Sequence, residues 1–194
     1  MSRPLCVAVS MALFAASQPA WSQDDIMRNL SVEQVTAFNA AVGKPDSLKV
    51  TSRVDRCDRT YAKGDVVKLY VKPNEQAYIT VFNVGPTGQV TQLFPNAFQK
   101  DNLVKANQEV EVAPVSSGSS IKVSGDVGGE VIKVFASSKK LEFVPASALT
   151  TSTAFFAVKG SVSDFVKNLE VAANESAGNK IAVSNLALKT VASR

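Results

Sequence analysis

Residues 61–96, YAKGDVVKLYVKPNEQAYITVFNVGPTGQVTQLFPN, contain short runs of valine, isoleucine, tyrosine, phenylalanine and threonine, broken by Pro73-Asn74 and by Gly85-Pro86-Thr87-Gly88. β-Branched and aromatic residues suit a pleated surface, whereas Pro, Gly and Asn turn the chain, so the stretch predicts a β-meander. Val67, Leu69 and Val71 alternate with polar residues, the pattern of a strand buried on one face. Residues 77–84 are apolar on both faces and predict a central strand. Residues 89–94 follow across the glycine turn, and Pro95 stops them by withholding a ladder donor.

The same reading extends in both directions. Leu48, Val50, Ser52 and Val54 alternate with Lys49, Thr51, Arg53 and Asp55. Residues 109–112, 121–123, 131–136 and 141–144 continue the series, separated by 116–120 and 125–129, and 181–191 read as a last strand. Strands at this spacing predict a mainly β fold, an antiparallel β-sandwich of about eight short strands. Two short helices are expected to dock on it. In the first, Ser31 is the N-cap, Gln34 reaches back to it, Leu30 packs on Val35, and Val35, Phe38 and Val42 repeat until Gly43 and Pro45 stop the helix. The second opens at Ser161-Val162-Ser163-Asp164, aligns Phe165, Val166, Leu169 and Ala173, and closes at 174–178. No long period recurs, and the serine-rich loop 116–120 reads as a connection inside the domain.

Residues 1–22 carry one positive charge at Arg3, an apolar segment over 5–16 and then Ala20-Trp21-Ser22 before Gln23-Asp24-Asp25. This predicts a secretory signal peptide cleaved after Ser22, because the apolar segment falls short of the ~20 residues that span a bilayer. Cys6 does not end that segment, so a lipidated cysteine is not expected. Residues 23–194 then form one domain in which Cys57 is the remaining cysteine, a fold standing on its core. The formal net charge is only +4 and the lysines are scattered, with Lys139-Lys140 adjacent. Nucleic acid is therefore not an expected partner, and a weak attraction to anionic envelope polymers is.

The chain contains no histidine, which excludes Ser-His-Asp and Cys-His centres and the usual imidazole ligands of catalytic zinc. Ser137-Ser138-Lys139-Lys140 has Ser-x-x-Lys spacing, yet it follows a strand, where no helical turn brings the Lys140 amine to Ser137. Glu109 and Glu111 share the wet side of a strand. Gly125, Gly128 and Gly129 precede a strand and read as turns, and Asp101-Asn102 lacks the other ligands of calcium. No catalytic residue, cofactor site or metal site is expected.

Gly64-Asp65, residues 77–84 with Tyr78, the Gly88 turn, Leu93-Phe94-Pro95-Asn96 and residues 130–137 together resemble the bacterial domain-of-unknown-function family numbered 4384, over roughly residues 49–141. The resemblance implies a small β-rich accessory domain of exported or envelope-associated proteins, found alone, as lipoproteins, or joined to peptidase domains and near secretion machinery, with no established activity. This chain departs from the lipoprotein relatives in having no cysteine at its cleavage point. Of the motif residues, Gly64 suits a tight turn in which Asp65 accepts local backbone hydrogen bonds. Phe94 reads as a core anchor, with an exposed aromatic on a binding rim as the other reading.

The function expected is that of an exported, non-catalytic accessory or interaction module in the periplasm of a Gram-negative bacterium, binding an envelope or secretion-system protein. The alternatives are a periplasmic inhibitor or immunity protein and, more remotely, a hydrolase using Ser137 and Lys140. The contact surface is expected on loops at one end of the sandwich: Gly85, Pro86, Thr87 and Gly88; Asn96, Phe98, Asp101 and Asn102; Ser117 and Ser119.

Overall fold

The computed structural model describes residues 30–40, 47–152, 154–175 and 177–193. The leader expected at residues 1–22, and Val42, Gly43 and Pro45, lie outside the described residues. The chain runs α1 (Val32–Asn39), β1 (Val50–Val54), β2 (Thr60–Ala62), β3 (Val66–Val67), β4 (Leu69–Pro73), β5 (Ala77–Val84), β6 (Val90–Phe94), β7 (Leu103–Val104), β8 (Val110–Val112), β9 (Ile121–Lys122), β10 (Gly128–Ser137), β11 (Leu149–Ser152), β12 (Phe155–Val158), α2 (Val162–Glu175) and β13 (Ile181–Val191). The fold is mainly β, as the alternation predicts.

The larger sheet has the order β11-β12-β6-β5-β10-β13-β2, with β7 continuing the β6 edge of β5. The central position of β5 follows from its apolar run, since a strand flanked and covered on both faces has no wet side. On one face of this sheet Ile79, Val81, Ile132, Val134 and Leu186 meet Val50, Val54, Leu69, Val71 and Val112 of a smaller sheet, ordered β1-β4-β8. These two layers are the sandwich. On the opposite face Phe82, Val84, Val131 and Phe135 receive the helices through Ala37, Val162, Phe165 and Leu169. Phe82 meets Phe165 edge-on at 4.9 Å, and Phe135 stacks on Phe143 at 4.3 Å. Phe165 and Leu169 are almost fully buried, a stabilisation of about 1.5–3 kcal/mol each.

Both helices start as their sequences predict. Ser31 Oγ accepts from Gln34 N and Gln34 Oε1 accepts from Ser31 N, a capping box. Gln34 is itself buried and donates to Gly129 O at 2.6 Å and to Val84 O at 3.3 Å, which pins α1 to β5 and β10. In α2, Ser161 and Asp164 exchange the equivalent bonds, and the buried stripe is Val162, Phe165, Leu169 and Ala172, with Val166 and Ala173 at its margin.

Three expectations are corrected. The described strands number thirteen, because short segments such as β2, β3, β7, β11 and β12 carry too few residues to show a period. The sheet is not wholly antiparallel: β2 pairs in parallel with β13, Thr60 opposite Lys189. Residues 141–144 form no strand; Phe143 and Val144 are both buried on the helix side, so successive side chains share one core where a strand would send them to opposite faces. Cys57 is exposed in the turn after β1.

Candidate functional site

The β5–β6 hairpin decides where the expected contact loops sit. Val84 pairs with Val90 at the turn, whereas Ala77 and Tyr78, at the far end of β5, pair with β7. The turn of Gly85, Pro86, Thr87 and Gly88 therefore lies at one end, and the loop carrying Asn96, Phe98, Asp101 and Asn102 lies at the other. Gly118 stands 3.6 Å from the Phe98 ring when a Cβ is built on it, which puts Ser117 and Ser119 with the second group. The expectation of one contact surface from all three loops is corrected: an antiparallel hairpin separates them by the length of its strands.

At the second end most of the polar candidates are occupied with holding the chain. Asn96 is buried, donates to Leu93 O and accepts from the Phe98 and Gln99 amides, fixing the turn after the cis Phe94-Pro95 peptide. Asn102 is buried and donates to Ile79 O, seating β7. Ser117 caps its own turn onto Pro114 O and meets the buried Ser119 at 3.1 Å. Phe98 and Asp101 remain exposed there. Leu93 and Phe94 are core residues, which settles the reading of Phe94, and Tyr78 is half-buried.

The first end holds a cavity of about 390 Å³, framed by the Gly85–Gly88 turn, the 123–126 loop and the exposed end of the sandwich core. The wall made by the 123–126 loop is built from local bonds. Val66 and Val67 pair with Lys122 and Ile121, Gly64 N donates to Val123 O at 2.8 Å, and Val123 N donates to Asp65 O at 2.9 Å. Gly64 has φ +95°, a conformation natural to glycine. Asp65 accepts from Ala62 N at 2.8 Å, as its turn position predicts, and from the Arg56 guanidinium, which lies over the Tyr61 ring. Tyr61 is fully buried against the cavity and donates its hydroxyl to Asp55 at 2.8 Å; burial, then Asp55, raises its pKa. Thr190 Oγ1 latches the far side, sharing its one proton between the Asp126 and Gly128 carbonyls and accepting from Gly128 N, each at 3.0 Å. Pro86 closes the rim against Gly128, where an added Cβ would stand 2.9 Å from the Pro86 Cβ.

Inside is Glu130, only 9% exposed at the start of β10. Its Oε2 accepts from Asn83 Nδ2 at 2.7 Å; its Oε1 has no hydrogen-bond partner among the described residues, is not sealed from solvent, and faces the cavity. Desolvation raises its pKa, opposed by the Asn83 amide. Leu93, Ile132, Leu188 and Phe155 supply apolar wall, and Lys122 and Asp126 stand exposed at the rim. The sequence reading missed this residue, placing the strand over 131–136 and quoting Glu130 only within the family resemblance. The signal was a carboxylate inside a run apolar on both faces.

The residues weighed for catalysis do not assemble around this cavity. Ser137 is buried at the end of β10 with its hydroxyl toward Tyr78 O at 3.5 Å, and Lys140 is exposed beyond the strand. Glu109 is exposed and forms a two-bond pair with Arg53 at 2.6 and 2.9 Å, while Glu111 pairs across the strands with Tyr70. Among the described residues no group of three or more Cys, Asp or Glu side chains converges as a metal site, and no helix is long and apolar enough to cross a membrane.

No curated protein and no solved structure matches the chain. A family model matches residues 60–140, from the first residue of β2 to just past β10, so β1 falls outside the likeness read over 49–141. The strand β13, which pairs with β10 along its whole length and also with β2, comes from outside the matched segment. That segment, residues 60–140, matches the family model described as Domain of unknown function (DUF4384).

Proposed function

We propose that this chain is an exported, non-catalytic interaction module that binds an envelope or secretion-system protein through the end of the sandwich bearing the Gly85–Gly88 turn. The observation that carries the reading is the cavity at that end: a buried carboxylate offers one oxygen outward, in a wall braced by backbone hydrogen bonds. A rigid sheet presenting a preformed pocket beside a tight turn is suited to recognition, since little is lost in ordering it on binding. The leader-like residues 1–22 support export. Affinity purification of the chain from native periplasm tests it: one stoichiometric protein partner is expected, and recovery of none argues against the reading.

A further inference from the structure

We propose that the cavity beside Glu130 is a receptor for a primary ammonium carried on an aliphatic arm, the chemistry of a lysine side chain or of a free alkyl diamine. The inference rests on the reading of the Gly85–Gly88 end as the contact surface, and it specifies what that surface recognises.

The polar atoms of the cavity fix the sign of the ligand. The Asn83 amide is committed to Glu130 Oε2, and the Thr190 hydroxyl is committed to the Asp126 and Gly128 carbonyls. What remains in the deep wall as a charged group is an acceptor, Glu130 Oε1, so an anion finds repulsion there. A carboxylate removed from water is costly until a cation or donor meets it, and no ion pair involving Glu130 is present among the described residues. Lys122, the cation at the rim, is turned to solvent. An ammonium with three donors can satisfy Oε1 with further bonds to spare for the rim.

The walls fix the rest of the ligand. A divalent metal requires several hard ligands, and Glu130 has no such company among the described residues. Leu93, Ile132, Leu188 and Phe155 instead offer apolar surface for a methylene chain leading to the charged head. About 390 Å³ falls within the roughly 300–1,000 Å³ typical of small-ligand pockets.

Isotope-labelled protein titrated with n-pentylamine, and in parallel with n-pentanol, tests this directly. Saturable amide shifts at Gly85, Gly125 and Glu130 are expected for the amine, and the isosteric Glu130→Gln should weaken it by roughly tenfold to a hundredfold, as losing a charged hydrogen bond does. The same substitution should leave pentanol unchanged, and Lys122→Met should leave amine binding intact or stronger. No saturable shift at those amides, equal binding of alcohol and amine, or full amine affinity in a folded Glu130→Gln protein would overturn the proposal. A blocked Ala-Lys-Ala peptide binding more tightly than 1,5-diaminopentane identifies a protein side chain as the source, and the reverse order identifies a free diamine. Amine binding with no partner recovered from periplasm keeps the receptor and removes the protein-contact reading. A partner recovered equally well by Glu130→Gln keeps the contact and removes the cavity from it.

Discussion

Replacing Lys133 with methionine tests how the buried face beneath α1 is held together. Lys133 is fully buried in the middle of β10, and its ammonium donates to Phe38 O at 3.2 Å, Ala40 O at 3.0 Å and Asn185 Oδ1 at 3.2 Å. A cation among the last carbonyls of a helix is favourable, yet desolvation wins and holds the amine down to about 8 against an ordinary 10.5. At 1.36 kcal/mol per pH unit this difference corresponds to about 3 kcal/mol. Below pH 8 the amine is charged in the folded and unfolded chain alike, and the fold carries the full cost of burying it. Between about 8 and 10.5 the unfolded chain holds a proton that the folded chain has released, so stability rises with pH, and above 10.5 it gains nothing further. Methionine preserves the length and removes the titration. Phe38 O keeps its bond from Asn185 Nδ2, and the Ala40 carbonyl left without the lysine costs about 1–3 kcal/mol, comparable to the charge burial relieved at pH 7. Urea unfolding of both proteins, followed by circular dichroism from pH 7 to 10.5, is expected to give similar stabilities at pH 7 and a wild-type advantage growing by about 3 kcal/mol across the interval. Other titrating groups are common to both proteins and cancel. A difference that stays constant from pH 7 to 10.5 would refute the reasoning.

Glu130→Gln should raise the melting temperature at pH 7. Because burial raises the folded-state pKa of Glu130, the gain should fade as the pH drops towards the ordinary 4.5, where the carboxyl is protonated folded or unfolded; thermal melts between pH 4 and 7 check it. Gly128→Ala forces a Cβ to 2.9 Å from Pro86 Cβ and should cost about 1–3 kcal/mol by chemical denaturation, with Pro86→Gly restoring part of it. Leu169→Ala, on the buried face of α2, should cost about 2–5 kcal/mol, whereas Arg53→Met, which breaks an exposed ion pair with Glu109, should stay within about 1 kcal/mol.

The strands that were legible are those whose alternation is long enough to register: β1, β5, β6, β10 and β13 fall on the runs that predict them. The capping residues Ser31 and Ser161 were legible too, because the bonds they make are local. What could not be read is set by contacts distant in sequence. The parallel pairing of β2 with β13 joins residues 60 and 189, and no local pattern encodes it. Phe143 and Val144 look like a strand segment, but stacking on Phe135 overrides their period. The candidate site was half legible. The Gly85–Gly88 turn was found, whereas Glu130 and Lys133 were absorbed into a β run whose neighbours disguised them. Asn96 and Asn102 read as loop residues for contact, while their side chains tie backbone inside the fold.

Site-specific photo-crosslinking in the native periplasm addresses the central claim most directly. A benzophenone side chain at Thr87, on the cavity rim, is predicted to yield one discrete protein adduct, whereas the same group at Phe98, on the exposed opposite end, yields none. Adducts at Phe98 with none at Thr87 would contradict the account, because the partner would then engage the end that lacks the cavity.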